Sequence, residues 1–322
     1  MTWPAWETAW QQALYGPEGF YRSPGGPARH FATSAQGIPG GGALLARAVV
    51  SLARSHNACT VVDFGCGRGE LAVEIASVAP DLQVVAVDVV DRPPGLPAAV
   101  DWVRAPGGTG MSSELRAIPD ALVIAHEYLD VVPCPVLVHD GSQLRVLEVD
   151  RHGAERVGAA ADPLDVAWCA AHWPGWERPG TRLEVGRPRD AVYAALRTMV
   201  ASGALITVDY GHLRDARPTG GTLRGYRDGV ECRPVPDGST DITAHVAMDT
   251  LGAPQLLRQL DLFDRLGLRP PPVAHALAGT DPPAYLRALS ERGAYSALTA
   301  KGGLGDFWWT LEPVSPIPAA AS

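Results

Sequence analysis

Lysine is almost absent from this chain. Lys301 is the only one, and arginine carries the rest of the 27 basic side chains. Against 35 acidic residues the formal charge is −8, with an isoelectric point near 5.6. That balance excludes a broad phosphate-binding surface, and with it nucleic acid as a partner. It suits either a cationic partner or a solvated acidic surface. Cysteine is scarce too. The five present (59, 66, 134, 169 and 232) form no C-x-x-C pair. An odd count speaks against a disulfide framework, so the chain is read as cytoplasmic with reduced thiols. The nine histidines include no H-x-x-x-H. His126-Glu127 opens like a zincin helix, but Asp130 stands where the second histidine belongs, so no metal is assigned. No apolar run approaches the ~18 residues of a membrane span. The N-terminus lacks a basic segment followed by an apolar one, so no signal peptide is expected.

What is present is a chain of 322 residues, 46% hydrophobic and 19% charged. That is enough for one large core with appendages. The organising stretch is Thr60-Val61-Val62-Asp63-Phe64-Gly65-Cys66-Gly67-Arg68-Gly69-Glu70-Leu71. A β-branched apolar run predicts a buried strand. After three alternating glycines, Leu71, Ile75 and Val78 share one face of a predicted helix. Strand, glycine turn and helix form the first unit of a nucleotide-binding α/β domain. Glycine suits a loop where a ligand must lie on bare backbone. The spacing is not the dinucleotide G-x-G-x-x-G, because Glu70 stands where that pattern wants glycine. Acid-x-Gly-x-Gly-x-Gly is similar instead to class I methyltransferases, which hold S-adenosylmethionine. A second buried strand, Leu82–Asp88, ends in an acid at the distance where related folds bind ribose hydroxyls.

Other elements are expected in order. Trp3, Trp6, Trp10 and Leu14 mark an aromatic helix stripe within 3–15. A helix through Ala43–Ala53 follows Thr33 and Ser34. Either hydroxyl can cap it, or the same group can face a ligand carboxylate. Val100–Val103 predicts a strand, 111–117 a weak helix, and Ala121–Ala125 a third buried strand ending at His126-Glu127-Tyr128-Leu129-Asp130. Asp63, Asp88 and Glu127 all lie near strand carboxyl ends, where open parallel sheets bind ligands. A hairpin is expected about Asp140-Gly141, and an insertion over 150–180 serves as a substrate lid. A helix at 188–201 and a fourth strand at Ala204–Asp209 follow. Asp241 is read as the cap of a helix from Ile242. Helices through Leu256, Leu260 and Phe263 and over 282–293, and a last strand at 305–311, complete the chain.

In this order the segments Gly19-Phe20-Tyr21, Phe31-Ala32-Thr33-Ser34, the glycine loop, Ala125–Asp130, Val208-Asp209-Tyr210-Gly211, Gly221-Thr222-Leu223-Arg224 and Asp241-Ile242-Thr243-Ala244-His245-Val246 resemble the MidA-like S-adenosylmethionine-dependent methyltransferases. That family includes a mitochondrial complex I assembly factor that methylates a protein arginine. The resemblance covers nearly the whole chain. The family usually has asparagine where this chain has His126, and Gly-Asp where it has Arg29-His30.

The resemblance implies a class I (Rossmann-like) α/β fold and S-adenosyl-L-methionine as cofactor. The expected layout is an N-terminal helical cap with a cofactor-covering loop over 1–57. A methyltransferase domain over 58–312 follows, with an insertion around 132–186, and then a disordered tail over 313–322. Candidate cofactor-binding residues are Thr33, Ser34, Asp63, Gly65, Gly67, Gly69, Asp88 and His126. Candidate catalytic residues are Glu127 and Asp130, with Asp241 and His245 behind them. His245 reads equally as a core histidine bonding backbone. The implied activity is methyl transfer to a protein side chain, arginine first. A small-molecule O- or N-methyltransferase of biosynthesis, or a cofactor-binding assembly factor with little turnover, are the alternatives. The partner is a protein or small-molecule methyl acceptor, and a homodimer is compatible with the chain.

Overall fold

The computed structural model describes residues 2–23 and 37–315. Helix α1 (Trp6–Tyr15) buries Trp6, Trp10 and Leu14, while Trp3 precedes it. Helix α2 (Gly41–Ser55) starts behind Gly40, which takes a left-handed backbone. Thr33 and Ser34 lie outside the described residues. Strand β1 (Thr60–Phe64), helix α3 (Glu70–Val78) and strands β2 (Gln83–Asp88), β3 (Val100–Arg104) and β4 (Ala121–His126) follow. On α3, Leu71 and Ile75 are buried but Val78 is exposed, so the apolar face stops one turn before the helix does. No helix forms at 111–117. Ser112 Oγ accepts the Glu114 amide, and Ala117 takes a left-handed backbone. Local side-chain bonding competes with helix there.

Strands β5 (Val136–His139) and β6 (Leu144–Val149) make the hairpin about Asp140, whose Oδ1 accepts the amides of Ser142 and Gln143. Strand β7 (Glu155–Ala160), helix α4 (Pro163–His172) and strand β8 (Arg182–Glu184) complete a four-stranded sheet ordered β7-β6-β5-β8. The stretch expected as a lid is thus regular structure with its own apolar cluster around Trp168 and Trp173. It looked unpatterned because β7 is an edge strand exposed along almost its whole length.

Helix α5 (Arg187–Arg197) leads to β9 (Gly203–Asp209) and the short β10 (Gly211–His212). Then come β11 (Arg224–Arg227), β12 (Val230–Cys232), β13 (Asp241–Thr243), β14 (Val246–Ala247), β15 (Gln255–Arg258), α6 (Gln259–Arg265), α7 (Leu277–Thr280), α8 (Pro282–Leu298) and β16 (Trp308–Val314). Asp241 does not cap a helix. It opens β13, because Asp241, Ile242 and Thr243 pair antiparallel with Tyr226, Gly225 and Arg224. Leu256 likewise sits in a strand, paired with Thr310. Strand β16 pairs with β9 as far as Val314, two residues into the expected tail. Residues 316–322 of that tail lie outside the described residues.

The main sheet has the order β15-β16-β9-β4-β1-β2-β3. Strands β3, β2, β1, β4 and β9 run parallel; β16 pairs antiparallel with both β9 and β15, so β15 runs in the direction of the parallel set. Helices cover both faces. Val61 faces the cluster of α2, α3, α6 and α8, while Val62 and Phe64 face the cluster of α5. Double burial explains the continuous apolar runs. The chain leaves β1 toward β2 on one side and returns to β4 on the other. A crevice opens at such a switch point, beyond the strand carboxyl ends. Among the described residues no helix is long and apolar enough to cross a membrane.

Candidate functional site

Beyond β1 the glycine loop closes against two neighbours. Gly65 has φ 76°, and a Cβ there would come within 2.4 Å of the Tyr128 ring. This glycine makes room for a side chain. Gly67, at φ 63°, is different. A Cβ there would meet nothing nearer than Glu70 Oε2 at 3.6 Å, so its backbone is bare toward the crevice. Gly69 precedes α3 as its N-cap. The Gly67 amide donates to Asp88 Oδ2 at 2.8 Å, and the Val89 amide donates to Oδ1 at 2.7 Å. Burial pushes the Asp88 carboxyl up to about 6 while these amides oppose the shift. Asp63, on β1, is buried with Oδ2 unpartnered. Burial first, and then the charges of Asp88 and Glu70, push it up to about 7.

At the end of β4 the chain turns sharply. Glu127 has φ 53°, a left-handed backbone unusual for a side-chain-bearing residue. Its amide donates to the Val208 carbonyl at 2.8 Å. His126 Nδ1 lies 3.5 Å from Glu127 Oε1, and burial lowers the basicity of that imidazole. Below the turn, Asp209 Oδ2 accepts the amides of Leu129 (2.9 Å) and Asp130 (3.1 Å). The strand-end acid of β9 is thus a staple for the turn. Arg189, buried on α5, donates to the carbonyls of Asp130 (2.9 Å), Val132 (3.2 Å) and His245 (2.9 Å).

This support presents two buried carboxyls. Asp130 Oδ2 accepts the Tyr210 hydroxyl at 2.5 Å, while Oδ1 has no partner. Burial pushes Asp130 up to about 7, and Glu127 adds to the rise while Tyr210 and Arg189 oppose it. Asp241 Oδ1 accepts the Tyr21 hydroxyl at 2.8 Å. Burial, and then the Asp130 charge, push Asp241 up to about 7.

One cleft of about 1260 Å³ joins the glycine loop to these acids. Asp63, Gly65, Gly67, Gly69, Asp88, His126, Glu127, Asp130 and Asp241 all line it. His245 does not: it is exposed, its ring stacks edge-on to Tyr210 at 5.2 Å, and its carbonyl serves Arg189. Thr33 and Ser34 lie outside the described residues. No described residue of 135–180 lines the cleft. Sequence reasoning missed Tyr21, Tyr210 and Arg189 as parts of the site. Tyr210 had a signal, since it follows a strand-end acid. Arg189 had none, since its partners are backbone carbonyls far along the chain.

Residues 44–255 match the model of a family of S-adenosyl-L-methionine-dependent methyltransferases. No curated protein matches the chain significantly. Among solved structures it is similar to a Burkholderia thailandensis protein bound to S-adenosyl-homocysteine. Identity is 21%, covering 96% of this chain and 87% of that one, with a TM-score of 0.72. A second, uncharacterized Burkholderia thailandensis protein of the same superfamily is 22% identical over 97% of this chain and 87% of its own, also at 0.72. At such identities the likeness shows a shared fold.

Proposed function

The chain belongs to this S-adenosyl-L-methionine-dependent methyltransferase family, and on that premise we propose that it methylates a cationic nitrogen of a protein side chain, arginine first. Its cofactor, S-adenosyl-L-methionine, supplies a methyl group on a positively charged sulfur. The residues present fit that cofactor. Gly67 offers bare backbone, and Asp88 stands at the end of the second strand. Asp63, with its buried Oδ2 unpartnered, lines the same cleft, whose acids suit a cationic ligand. In this reading the loop from Gly65 to Gly69, with Asp63, Asp88 and His126, holds the cofactor. Thr33 and Ser34 are assigned to the same role.

One observation carries the acceptor assignment. Glu127, Asp130 and Asp241 line the same cleft as the glycine loop. Carboxylates bind a guanidinium through paired, charge-assisted hydrogen bonds. They also favour loss of its proton as the nitrogen attacks. The sulfur leaves as a neutral group, so no acid is needed to protonate it. What remains is alignment, worth roughly 7–11 kcal/mol in favourable cases. Glu127 and Asp130 do this work, with Asp241 behind them.

The test is incubation with heavy-methyl cofactor and arginine-containing protein extracts, followed by mass analysis. Label on arginine nitrogen supports the proposal. Label on small-molecule oxygen or nitrogen makes the enzyme a biosynthetic methyltransferase. Cofactor binding without any labelled product makes it an assembly factor.

A further inference from the structure

Asp130 is only 3% exposed, yet it lines the cleft with one oxygen taken and one free. Tyr210 takes Oδ2, while the buried Oδ1 accepts no side-chain hydrogen bond. A buried carboxylate oxygen left without a donor is costly, so an arrangement that keeps one calls for a partner that arrives with the substrate. The Asp130 backbone is pinned at the amide by Asp209 and at the carbonyl by Arg189 and the Ala244 amide, and the Tyr210 hydroxyl holds its carboxyl. Tyr210 is held in turn, because its own amide donates to Asp209 Oδ1 at 3.1 Å and its ring packs on His245 and Phe307.

We propose that Tyr210 is a positioning residue that holds Asp130 Oδ2 and so leaves Oδ1 as the oxygen that takes the proton lost by the methyl acceptor. The inference rests on the methyl-transfer reading above. The lone pair of the acceptor atom forms the bond to the methyl carbon. The carbon–sulfur bond breaks, and its electron pair goes to sulfur. The proton of the acceptor passes to Asp130 Oδ1, and solvent removes it after product leaves. Neither oxidant nor second reactant is required.

The groups that face Asp130 set the conditions for this role. Glu127 on the same turn, Asp209 from β9 and Asp241 from β13 oppose its negative charge. Arg189 from α5 and the Tyr210 hydroxyl favour that charge. Tyr15 and Tyr21, from the N-terminal segment, sense it as raised phenols. Burial outweighs the rest and leaves the carboxyl near neutrality, where it both accepts and releases a proton at working pH.

The experiment follows the Asp130 carboxyl directly, in the full chain labelled with carbon-13 at aspartate Cγ. Asp130→Asn assigns the resonance. Tyr210→Phe is expected to raise its titration midpoint by about one pH unit, as loss of a hydrogen bond to a charged group predicts. Replacing Tyr210 by 3-fluorotyrosine, a stronger donor of nearly the same shape, is expected to lower it. Tyr21→Phe is expected to leave it in place or lower it. The rising limb of the single-turnover rate against pH should move with the midpoint in each Tyr210 variant.

A midpoint indifferent to both Tyr210 variants overturns the proposal, as does a wild-type Asp130 that titrates as an ordinary carboxyl. A midpoint that moves while the rate profile stays still overturns the proton-accepting role. The titration uses neither cofactor nor acceptor. Failure to methylate arginine therefore counts against the acceptor class above and leaves the Tyr210–Asp130 assignment standing.

Discussion

Asp88 Oδ2 and the Gly67 amide are 2.8 Å apart, so the acid at the end of β2 ties down the loop that must face the cofactor. The same residue lines the cleft. In the proposed complex it acts twice, as a strut for the glycine loop and as an acceptor for ribose hydroxyls. Asp88→Ala should therefore weaken cofactor binding by roughly 2–3 kcal/mol. It should also lower the melting temperature of the free protein. Calorimetric titration and a thermal melt on the same sample check both. Lost affinity with an unchanged melt would show that the Gly67 bond contributes little.

Glu127 sits at φ 53° because the chain must leave β4 and pass over Asp209. Glu127→Gln keeps that backbone and removes the charge. We expect near-normal cofactor affinity with turnover lowered at least ~100-fold, the low end for a positioned acid–base group. Loss of cofactor affinity with normal turnover at saturation would make Glu127 a cofactor ligand. Glu127→Val places a β-branched residue in left-handed backbone and should cost ~1–2 kcal/mol of stability. Denaturant melts measure that cost.

Asp63 has a folded-state carboxyl near 7, above the ordinary carboxylate range. The folded protein then holds a proton that the unfolded chain has released. Its contribution to stability is complete below the unfolded value, around 4, and is lost as pH rises through about 7. Asp63→Asn should flatten the fall in stability between those limits and leave the acid side unchanged. A wild type and variant with parallel stability curves from pH 4 to 8 would contradict this. For the cationic cofactor the sign reverses. Binding should tighten as pH rises through neutrality in the wild type, and the asparagine variant should lose most of that dependence.

Arg189 serves the carbonyls of Asp130, Val132 and His245 from a buried position on α5. Arg189→Met fills much of the volume and leaves those carbonyls unsatisfied. At ~1–3 kcal/mol for each buried polar group left unpaired, the loss should exceed ~3 kcal/mol in urea unfolding. A loss below ~1 kcal/mol would mean that water replaces the guanidinium without penalty.

Much of the frame was legible in the chain itself. Strands β1, β2, β4 and β9 are buried on both faces, so each is a mostly apolar run; β2, β4 and β9 end in Asp88, His126 and Asp209, and β1 carries Asp63 beside its last residue. The glycine loop and Asp88 follow from β1 and β2 by spacing, and Glu127 and Asp130 from the end of β4. These features are local, set by side-chain period and backbone freedom over a few residues. The tertiary structure decided the rest. Asp209 is a further strand-end acid in sequence, and in the fold the turn brings the Leu129 and Asp130 amides onto that carboxylate. Asp241 looks like a helix cap, yet pairing with β11 makes it a strand residue and brings it against Tyr21, 220 positions away. Tyr210 reaches Asp130 across 80 positions because β4 and β9 are neighbours in the sheet. Strand order and packing of the N-terminal segment create those contacts. No periodicity encodes them, since their free energy arises only when distant segments share one desolvated cleft.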